Sequence, residues 1–472
     1  MKKSFIFIVV CLVTFQIYSQ TYVGGVQSEN STWIKVNNPY IVNSNYLIPA
    51  NIELNIEAGV EIFFEENLGM EISGLLRANG NSTDTILFTG YNNGDWNGLT
   101  FNNSCVPFDS ITGEGTILSY CKFSGNGYQP VWMIRSYGCS MEVSNSLIEN
   151  TERGFISYWR SNIRFIKNIV RNTSTYAFYC YEQDGIAVND GYVIVRENEV
   201  YNSSVIEFFT GAVVENNYFH DFNGEGIDFR GIVIWPTYTD NQEYKFCGNT
   251  LKNFENEALT LRHIGNNNVD ITCNTFTDNG INLYVDCNYY SGVDNLLFEQ
   301  NNLLNYQDYN IRVYSPDGCD GSGSYDNLMV ENNYWNNLSE NEIRTSIWDF
   351  DDDYTTGVKA FFNPVLTSAT DCTCGNASGV NNAKSDSEKN VIIYPNPINY
   401  SATIKIINQD LTKNQKEIYL SLYDMFGSEI IKNKNINSNQ IILYKNNLKE
   451  GIYFYKISTN EKIIDAGKLI IN

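Results

Sequence analysis

Apolar and polar residues alternate along this chain in short runs, and one five-residue phrase recurs through its middle: Asn, any residue, an apolar residue, any residue, then Asn or Asp. It occurs as Asn168-Ile-Val170-Arg-Asn172, Asn198-Glu-Val200-Tyr-Asn202, Asn217-Tyr-Phe219-His-Asp221 and Asn249-Thr-Leu251-Lys-Asn253, then as Asn274-Thr-Phe276-Thr-Asp278, Asn301-Asn-Leu303-Leu-Asn305 and Asn333-Tyr-Trp335-Asn-Asn337. The first Asn residues are 30, 19, 32, 25, 27 and 32 positions apart, a loose period that signals a solenoid. Positions one, three and five of an extended segment share a face, so each copy is expected to present one apolar residue flanked by two amides on the same side of a strand. An amide stacked over the amide of the next coil donates in one direction and accepts in the other, which satisfies a buried polar side chain along a ladder. Between copies lie alternating runs such as Gly226-Ile-Asp-Phe-Arg230 and Ala258-Leu-Thr-Leu-Arg262, then turn residues. Short strands, Asn- and Gly-rich turns and no helical period predict a parallel β-helix; a β-sandwich with Asn-rich turns would lack the repeat.

The 472 residues exceed one typical core, and Tyr and Phe are abundant at 33 and 26 copies beside two His. Strand formers therefore dominate and few groups titrate near neutrality. Residues 21–384 hold 18 Lys and Arg against 45 Asp and Glu, a formal charge of −27, whereas residues 385–472 hold 11 against 9. Such an acidic body argues against nucleic acid or an anionic membrane as partner. Lys2, Lys3 and the apolar run Phe5 to Phe15 read as a secretory signal over residues 1–20, too short to span a bilayer, and no later segment reads as transmembrane. Ten cysteines remain after it, an even number that favours disulfides in an oxidising destination. Cys247 and Cys273 precede successive phrases and could stack on neighbouring coils; Cys372-Thr-Cys374 lacks further ligands at metal spacing.

Residues 31–101 contain Ser31-Thr-Trp33, Leu54-Asn-Ile-Glu-Ala-Gly-Val60, Gly74-Leu-Leu76, Ile86-Leu-Phe-Thr89 and Trp96-Asn-Gly-Leu99. This succession resembles the N-terminal coils of secreted right-handed β-helix proteins of the pectate-lyase-like class. The stretch Asn332-Asn-Tyr-Trp-Asn336, Ile343-Arg-Thr-Ser-Ile-Trp-Asp349, Asp351-Asp-Asp353 and Asn363-Pro-Val-Leu366 resembles their closing segment, with Asn336 where Gly is common. The Asp cluster offers oxygen ligands for Ca²⁺ without a full ligand spacing, and otherwise reads as an exposed acidic turn. Residues 367–388 are small and polar and read as a linker. Beyond them Tyr394-Pro-Asn-Pro397, Leu422-Tyr-Asp-Met-Phe-Gly427, Leu448-Lys-Glu-Gly-Ile-Tyr453 and Gly467-Lys-Leu-Ile-Ile471 resemble the C-terminal sorting domain of the type IX secretion system of Bacteroidetes. The expected architecture is all-β: a right-handed parallel β-helix solenoid over 21–366, the linker, and a small antiparallel β-sandwich over 389–472 that engages the secretion machinery.

Candidate chemistry follows from register. Aligning Asp221 to Arg230 with Asn253 to Arg262 without a gap sets Glu225 over Glu257, Asp228 over Thr260 and Arg230 over Arg262. Extending that register adds Glu207, Asn282 and Arg312 to the Asp228 column, and Tyr284 and Tyr314 to the Arg230 column. His263 lies beside Arg262, and His220 just ahead of the Asp228 strand. Asp228, Arg230, Glu257, Arg262 and His263 are thus the candidate catalytic residues: paired carboxylates suit glycoside hydrolysis, and Arg or His near Asp suits proton abstraction in a lyase. The bland account of the same groups is ion pairs knitting coils on a solvent face. Arg153, Arg160, Arg164, Lys167 and Arg171 crowd near Tyr158 and Trp159, either as a solvated basic face or as a glycan platform, where rings stack on sugars and Arg grips oxygens. Tyr158, Trp159, Tyr284, Arg312 and Tyr314 are the candidate substrate-binding residues. Resemblance and residues together imply a secreted, monomeric protein that binds or processes extracellular polysaccharide, with a non-catalytic adhesin or scaffold as the alternative.

Overall fold

A computed structural model describes residues 20–126, 132–158, 161–181, 192–222, 230–236, 242–265, 267–286, 293, 295–314, 326–372, 374 and most of 391–471. The expected signal segment, Trp159, Asp228 and Glu225 lie outside the described residues. The chain divides into two units, residues 1–379 and 380–472.

The first unit is a parallel β-helix with three faces. Each coil supplies one strand to each face in turn. The first face is an eleven-stranded sheet that runs in sequence order from Ser31–Trp33 to Leu296–Glu299. The second and third faces meet at a shallow bend and form one continuous twenty-stranded sheet. In the strands Leu147–Tyr158 and Ile169–Tyr181 the two faces are halves of a single run, with a register shift where they meet. The interior is filled by like stacked on like. On the second face Phe88, Phe123, Ile148, Val170, Val200, Phe219, Leu251, Phe276 and Leu303 form one column of directly paired residues, all fully buried. At the N-terminal end Thr21–Val26 pairs with Tyr40–Ile48 and occupies the hydrogen-bonding edge of the first coils, which would otherwise template association. Near the other end a short helix, Glu340–Thr345, starts on a capping box between Ser339 and Glu342 and buries Ile343.

The recurring Asn phrase explains the coil geometry, in a different way from the alternation argument. Its third residue is buried, as expected, but its first and last residues point to opposite sides. The first Asn sits in the corner between the first and second faces and is buried in all seven copies. Its Oδ1 accepts the backbone N–H of the corresponding residue one coil earlier at 2.8–2.9 Å, for Ser146, Asn168, Asn198, Asn217, Asn249, Asn274 and Asn301. Its Nδ2 donates to a carbonyl of the preceding coil and, in the first six copies, to the amide oxygen of the next Asn. The fifth residue instead lies at the surface in the left-handed region, with φ of 45 to 59° in six of the seven copies. A left-handed residue reverses the alternation of an extended strand, so position five cannot share a side with position one. The residue before the first Asn is left-handed as well: Lys167, Glu197, Asn216, Gly248, Cys273, Gln300 and Asn332 have φ of 56 to 66°. Each such corner costs a non-glycine residue about 1–2 kcal/mol, which the buried amide network offsets.

The second unit holds two antiparallel sheets. One contains Val391–Tyr394, Ser401–Ile406 and Gln440–Tyr444; the other contains Glu429–Asn435, Ile418–Asp424, Gly451–Thr459 and Ile463–Ile471. Ile404 and Leu443 from the first sheet pack with Leu420, Leu422, Ile457 and Leu469 from the second in one core.

Asn249→Leu removes the acceptor shared by the Asn217 backbone and side-chain N–H groups and takes the amide donor from the Val214 carbonyl, while the Asn274 amide oxygen keeps the backbone N–H of residue 249. At roughly 1–3 kcal/mol for each buried group left without a partner, urea unfolding should show a loss of about 3 kcal/mol or more. Asn253→Gly, at the exposed corner of the same coil, keeps the left-handed conformation and should change stability by less than about 1 kcal/mol.

Candidate functional site

The outward positions of the third face form two adjacent columns. One runs Leu47, Glu71, Thr100, Arg135, Ile156, Tyr179, Glu207, Val233, Thr260, Tyr284, Arg312 and Trp348. Two residues further along each strand, the other contains Tyr137, Tyr158 and Tyr181, and later Arg262, Asp286 and Tyr314. Phe209 and Trp235 fill the gap between Tyr181 and Arg262, following Phe208 and Ile234 in strands that pair in register. Seven coil steps at about 4.8 Å carry this second column from Tyr137 to Tyr314 over roughly 34 Å.

Rings touch rings along most of that length. Tyr137 stacks on Tyr158 with centroids 5.2 Å apart and planes 3° from parallel. Tyr158 meets Tyr181 edge-on, Tyr181 and Tyr179 both contact Phe209, and Phe209 contacts Trp235 at 5.3 Å. A branch adds Trp132 and Tyr176, which contact each other and Tyr179. Arginines lie over the rings at both ends: Arg153 over Trp132 and Tyr176, and Arg262 over Trp235 at 4.8 Å. Arg262 also pairs with the nearly buried Asp286 at 3.1 Å. Tyr137, Tyr158, Tyr176, Tyr179, Tyr181 and Trp235 keep part of their surface in solvent, and Tyr314 is 43% exposed. Toward the N-terminal end the same face carries two shallow hollows. One of about 320 Å³ is lined by Glu71, Asn97, Thr100 and Arg135; the other, of about 480 Å³, by Ser73, Asn102 and Tyr137.

The gapless alignment misplaces part of the expected columns. Phe222 lies over Phe254, yet Arg230 lies over Glu257 rather than Arg262, so eight residues in one coil match three in the next. The five extra residues lie in sequence between the strands Tyr218–Phe222 and Arg230–Ile234, and the buried Ile232 still stacks over Leu259 beyond them. Val233, not Asp228, therefore overlies Thr260. Thr260 is itself buried, and so is Asn282, which donates to Asn310 at 2.7 Å within the interior instead of facing out. Tyr284 and Arg312 share one column, not two. Glu257 and Arg262 lie on one strand, five residues apart, and His263 follows in a left-handed turn. His220 is on the second face, stacked between Tyr201 and Tyr218 and bonded to Asp221 and Glu199.

The basic run disperses in the same way. Arg164 pairs with Glu142 on the first face, Arg171 with Glu149 on the second, and Lys167 with Glu197 at a corner; only Arg153 joins the aromatic face, and Arg160 lies outside the described residues. In the acidic turn Asp349 is buried against Arg344 at 2.8 Å, Asp351 pairs with Lys359, and Asp353 caps a short turn. These carboxylates are engaged by cations and backbone N–H groups. Among the described residues no three or more His, Cys, Asp or Glu side chains are grouped to hold a metal ion.

The aromatic wall itself was not singled out by the alternation of the chain, because Tyr and Phe occupy inward and outward positions alike. Its signal was a count from the ladder Asn: Tyr181, Arg262 and Tyr314 each follow their own Asn by 13 residues.

Residues 392–472 match the family of secretion system C-terminal sorting domains. Such a domain directs export by the type IX system, so the protein reaches the cell surface or the extracellular space. Comparison with curated proteins and with solved structures found no match. Among the described residues no helix is long and apolar enough to cross a membrane.

Electrostatics decide what the one histidine of this face can do. Burial pushes the His263 pKa down, and although Asp286 opposes that shift, Arg262 adds to it. The ring is therefore neutral at pH 7, and its Nδ1 accepts the Trp235 indole N–H at 3.2 Å. A neutral imidazole accepting at Nδ1 carries its proton on Nε2, so His263 offers a donor on this face and not a base. Its folded pKa lies below the unfolded value of about 6.5, so the unfolded chain binds more protons in that window and stability falls as pH drops through it. Urea midpoints at pH 7.5 and 5.0 should fall further for the wild type than for His263→Gln, and an NMR titration of the imidazole should give a midpoint under about 6.5.

Proposed function

We propose that this exported protein binds extracellular polysaccharide along its third face and does not cleave it. The continuous row of rings from Tyr137 to Trp235, half-exposed except for the buried Phe209, with Arg262 over Trp235 and Arg153 over the branch rings Trp132 and Tyr176, carries this reading. Sugar rings present C–H faces that pack on aromatic side chains, and guanidinium groups donate in pairs to hydroxyl or carboxylate oxygens. A long polymer suits the layout, because contacts are spread over eight coils in one line and not gathered around a pocket.

Carboxylate spacing supports binding over hydrolysis. Glycosidases hold two carboxyl groups roughly 5–9.5 Å apart. Glu207 is three coils from the strand of Asp286, at least about 14 Å away at 4.8 Å per coil. Glu257 is one coil and five residues from Asp286, about 16 Å along the strand. Glu207 and Glu257 are two coils and three residues apart, about 14 Å. The backbone positions of each pair are therefore wider apart than the carboxyl spacing of a glycosidase. The alternative of a pure scaffold has the same rigid solenoid in its favour, and differs in requiring no ligand on the aromatic face.

Affinity electrophoresis of the exported protein on a polysaccharide panel tests the reading. At least one polymer should retard it. Tyr158→Ala and Trp235→Ala should each weaken that retention about threefold to tenfold, as the loss of roughly 0.5–1.5 kcal/mol of ring stacking implies. Arg171→Gln on the second face should leave it unchanged. New reducing or unsaturated ends would show catalysis and overturn the non-catalytic part; retention by no polymer would leave the scaffold.

A further inference from the structure

After the last coil the chain turns back along the solenoid. Leu366 bridges Tyr334, and its N–H donates to the Asn333 carbonyl. Thr370 then exchanges two hydrogen bonds with the Asn302 side chain one coil earlier, at 2.8 and 2.9 Å. Cys372 lies over Gln300 and is disulfide-bonded to Cys273 in the coil before that. Cys374 reaches further still, to the Gly248 corner one coil beyond Cys273, with its Sγ 3.5 Å from the amide oxygen of Asn216 in the coil after that. Leu366 and the described residues at the start of the expected linker, 367–372 and Cys374, thus form a strap running down the corner column Asn332, Gln300, Cys273, Gly248 and Asn216. Cys247, fully buried, is in this corner too, and its carbonyl accepts the Asn216 N–H. Cys105 pairs with Cys139 elsewhere in the solenoid.

We infer that Cys247 and Cys374 form a further disulfide when the protein is exported, locking the strap to two successive coils. Two independent features of the chain fit this. The corner residue at this level is Gly248, where the other ladder corners carry Lys167, Glu197, Asn216, Cys273, Gln300 and Asn332. A Cβ there would stand 2.6 Å from the Cys374 sulfur, so the missing side chain makes the room in which that thiol sits beside Cys247. In addition, the Cys374 and Cys247 side chains hydrogen bond to each other, which holds the Cys247 thiol below its ordinary range and pushes that of Cys374 up. Cys247 is the partner that more readily becomes the attacking thiolate, and Cys374 is the more accessible of the two. The exchange balances with any disulfide oxidant: the two thiols give up two protons and two electrons, the oxidant's S–S bond breaks to two thiols, and the Cys247–Cys374 bond forms.

The strap ends five residues before the boundary at residue 379, so both cross-links would secure the end of the solenoid independently of what happens to the sorting domain. Cys121 and Cys180 are also free and buried, but burial pushes Cys121 well up and Cys180 up to about 12, and neither faces a second thiol among the described residues.

The test is unreduced peptide mapping of the full-length protein recovered from an oxidising compartment, unfolded in N-ethylmaleimide and cut with trypsin. Cys247 falls in the peptide 246–252, and Cys372 and Cys374 fall together in 360–384. In the wild type 246–252 should be released only by reduction. In Cys372→Ser it should remain joined to 360–384, and in Cys374→Ser it should be recovered with Cys247 alkylated. An alkylated Cys247 in the wild type overturns the inference, as does a Cys372→Ser protein whose 360–384 peptide is joined to the peptide bearing Cys273. The wild-type map decides the matter even if a variant fails to fold.

Discussion

The buried column of asparagine amides is the constraint on which the solenoid depends. Seven side chains, from Asn168 to Asn333, stand one above another inside the corner between the first and second faces. Each takes up a backbone N–H that the turn would otherwise leave buried without a partner, and gives its own N–H groups to neighbouring coils. A buried unpaired amide costs about 1–3 kcal/mol, so any coil that slips out of register loses two or three such bonds together. That penalty fixes the vertical register at one corner of every coil, and apolar stacking on the second face follows from it.

With register pinned there, the rest of each coil is free to vary outward. Five extra residues precede Arg230 in the chain, and the third-face strands pair from Arg230 over Glu257 onward. Outward residues on the first two faces are largely consumed in joining coils: Glu149 with Lys122 and Arg171, and Glu215 with Arg196 and Lys245. Burial alone would raise both carboxyl pKa values, yet the hydrogen bonds from these cations hold them below the ordinary range. The third face departs from this pattern by placing rings between coils from Tyr137 to Trp235, with the Arg262–Asp286 pair beyond them.

How much of this was legible in the chain depended on whether a residue's role was local or relative. The phrase beginning at Asn168 carries its own mechanism, so the parallel solenoid and the stacked amides could be read without coordinates. The conformation of Asn172 could not, because simple alternation assumes an unbroken strand and a left-handed corner inverts it. The register of Arg230 and Asp228 depends on counting across a corner, and counting fails wherever an insertion leaves no trace in composition. Counting onward from the ladder Asn inside a single coil succeeds better, as Arg262 and Tyr314 at the same offset show. The sorting domain was legible for a further reason: its motifs are contiguous in the chain, and no long-range register is needed to recognise them.

Rigidity links the ladder to the proposed recognition. A flexible surface must order its side chains before it can hold a polymer, at about 0.5–1.5 kcal/mol for each rotamer-rich group. The rings between Tyr137 and Trp235 are already held by one another and by strands whose height is set at the Asn corner. Arg262 is likewise fixed between Trp235 and Asp286. A body with a formal charge of −27 over residues 21–384 gains little from long-range attraction to an acidic glycan, and beyond about 8–10 Å such forces are screened at physiological salt. Short-range ring contacts and guanidinium hydrogen bonds, both preorganised, are then the terms left to determine affinity. The spacing between coils, about 4.8 Å, becomes the ruler against which a bound polymer must match its own repeat.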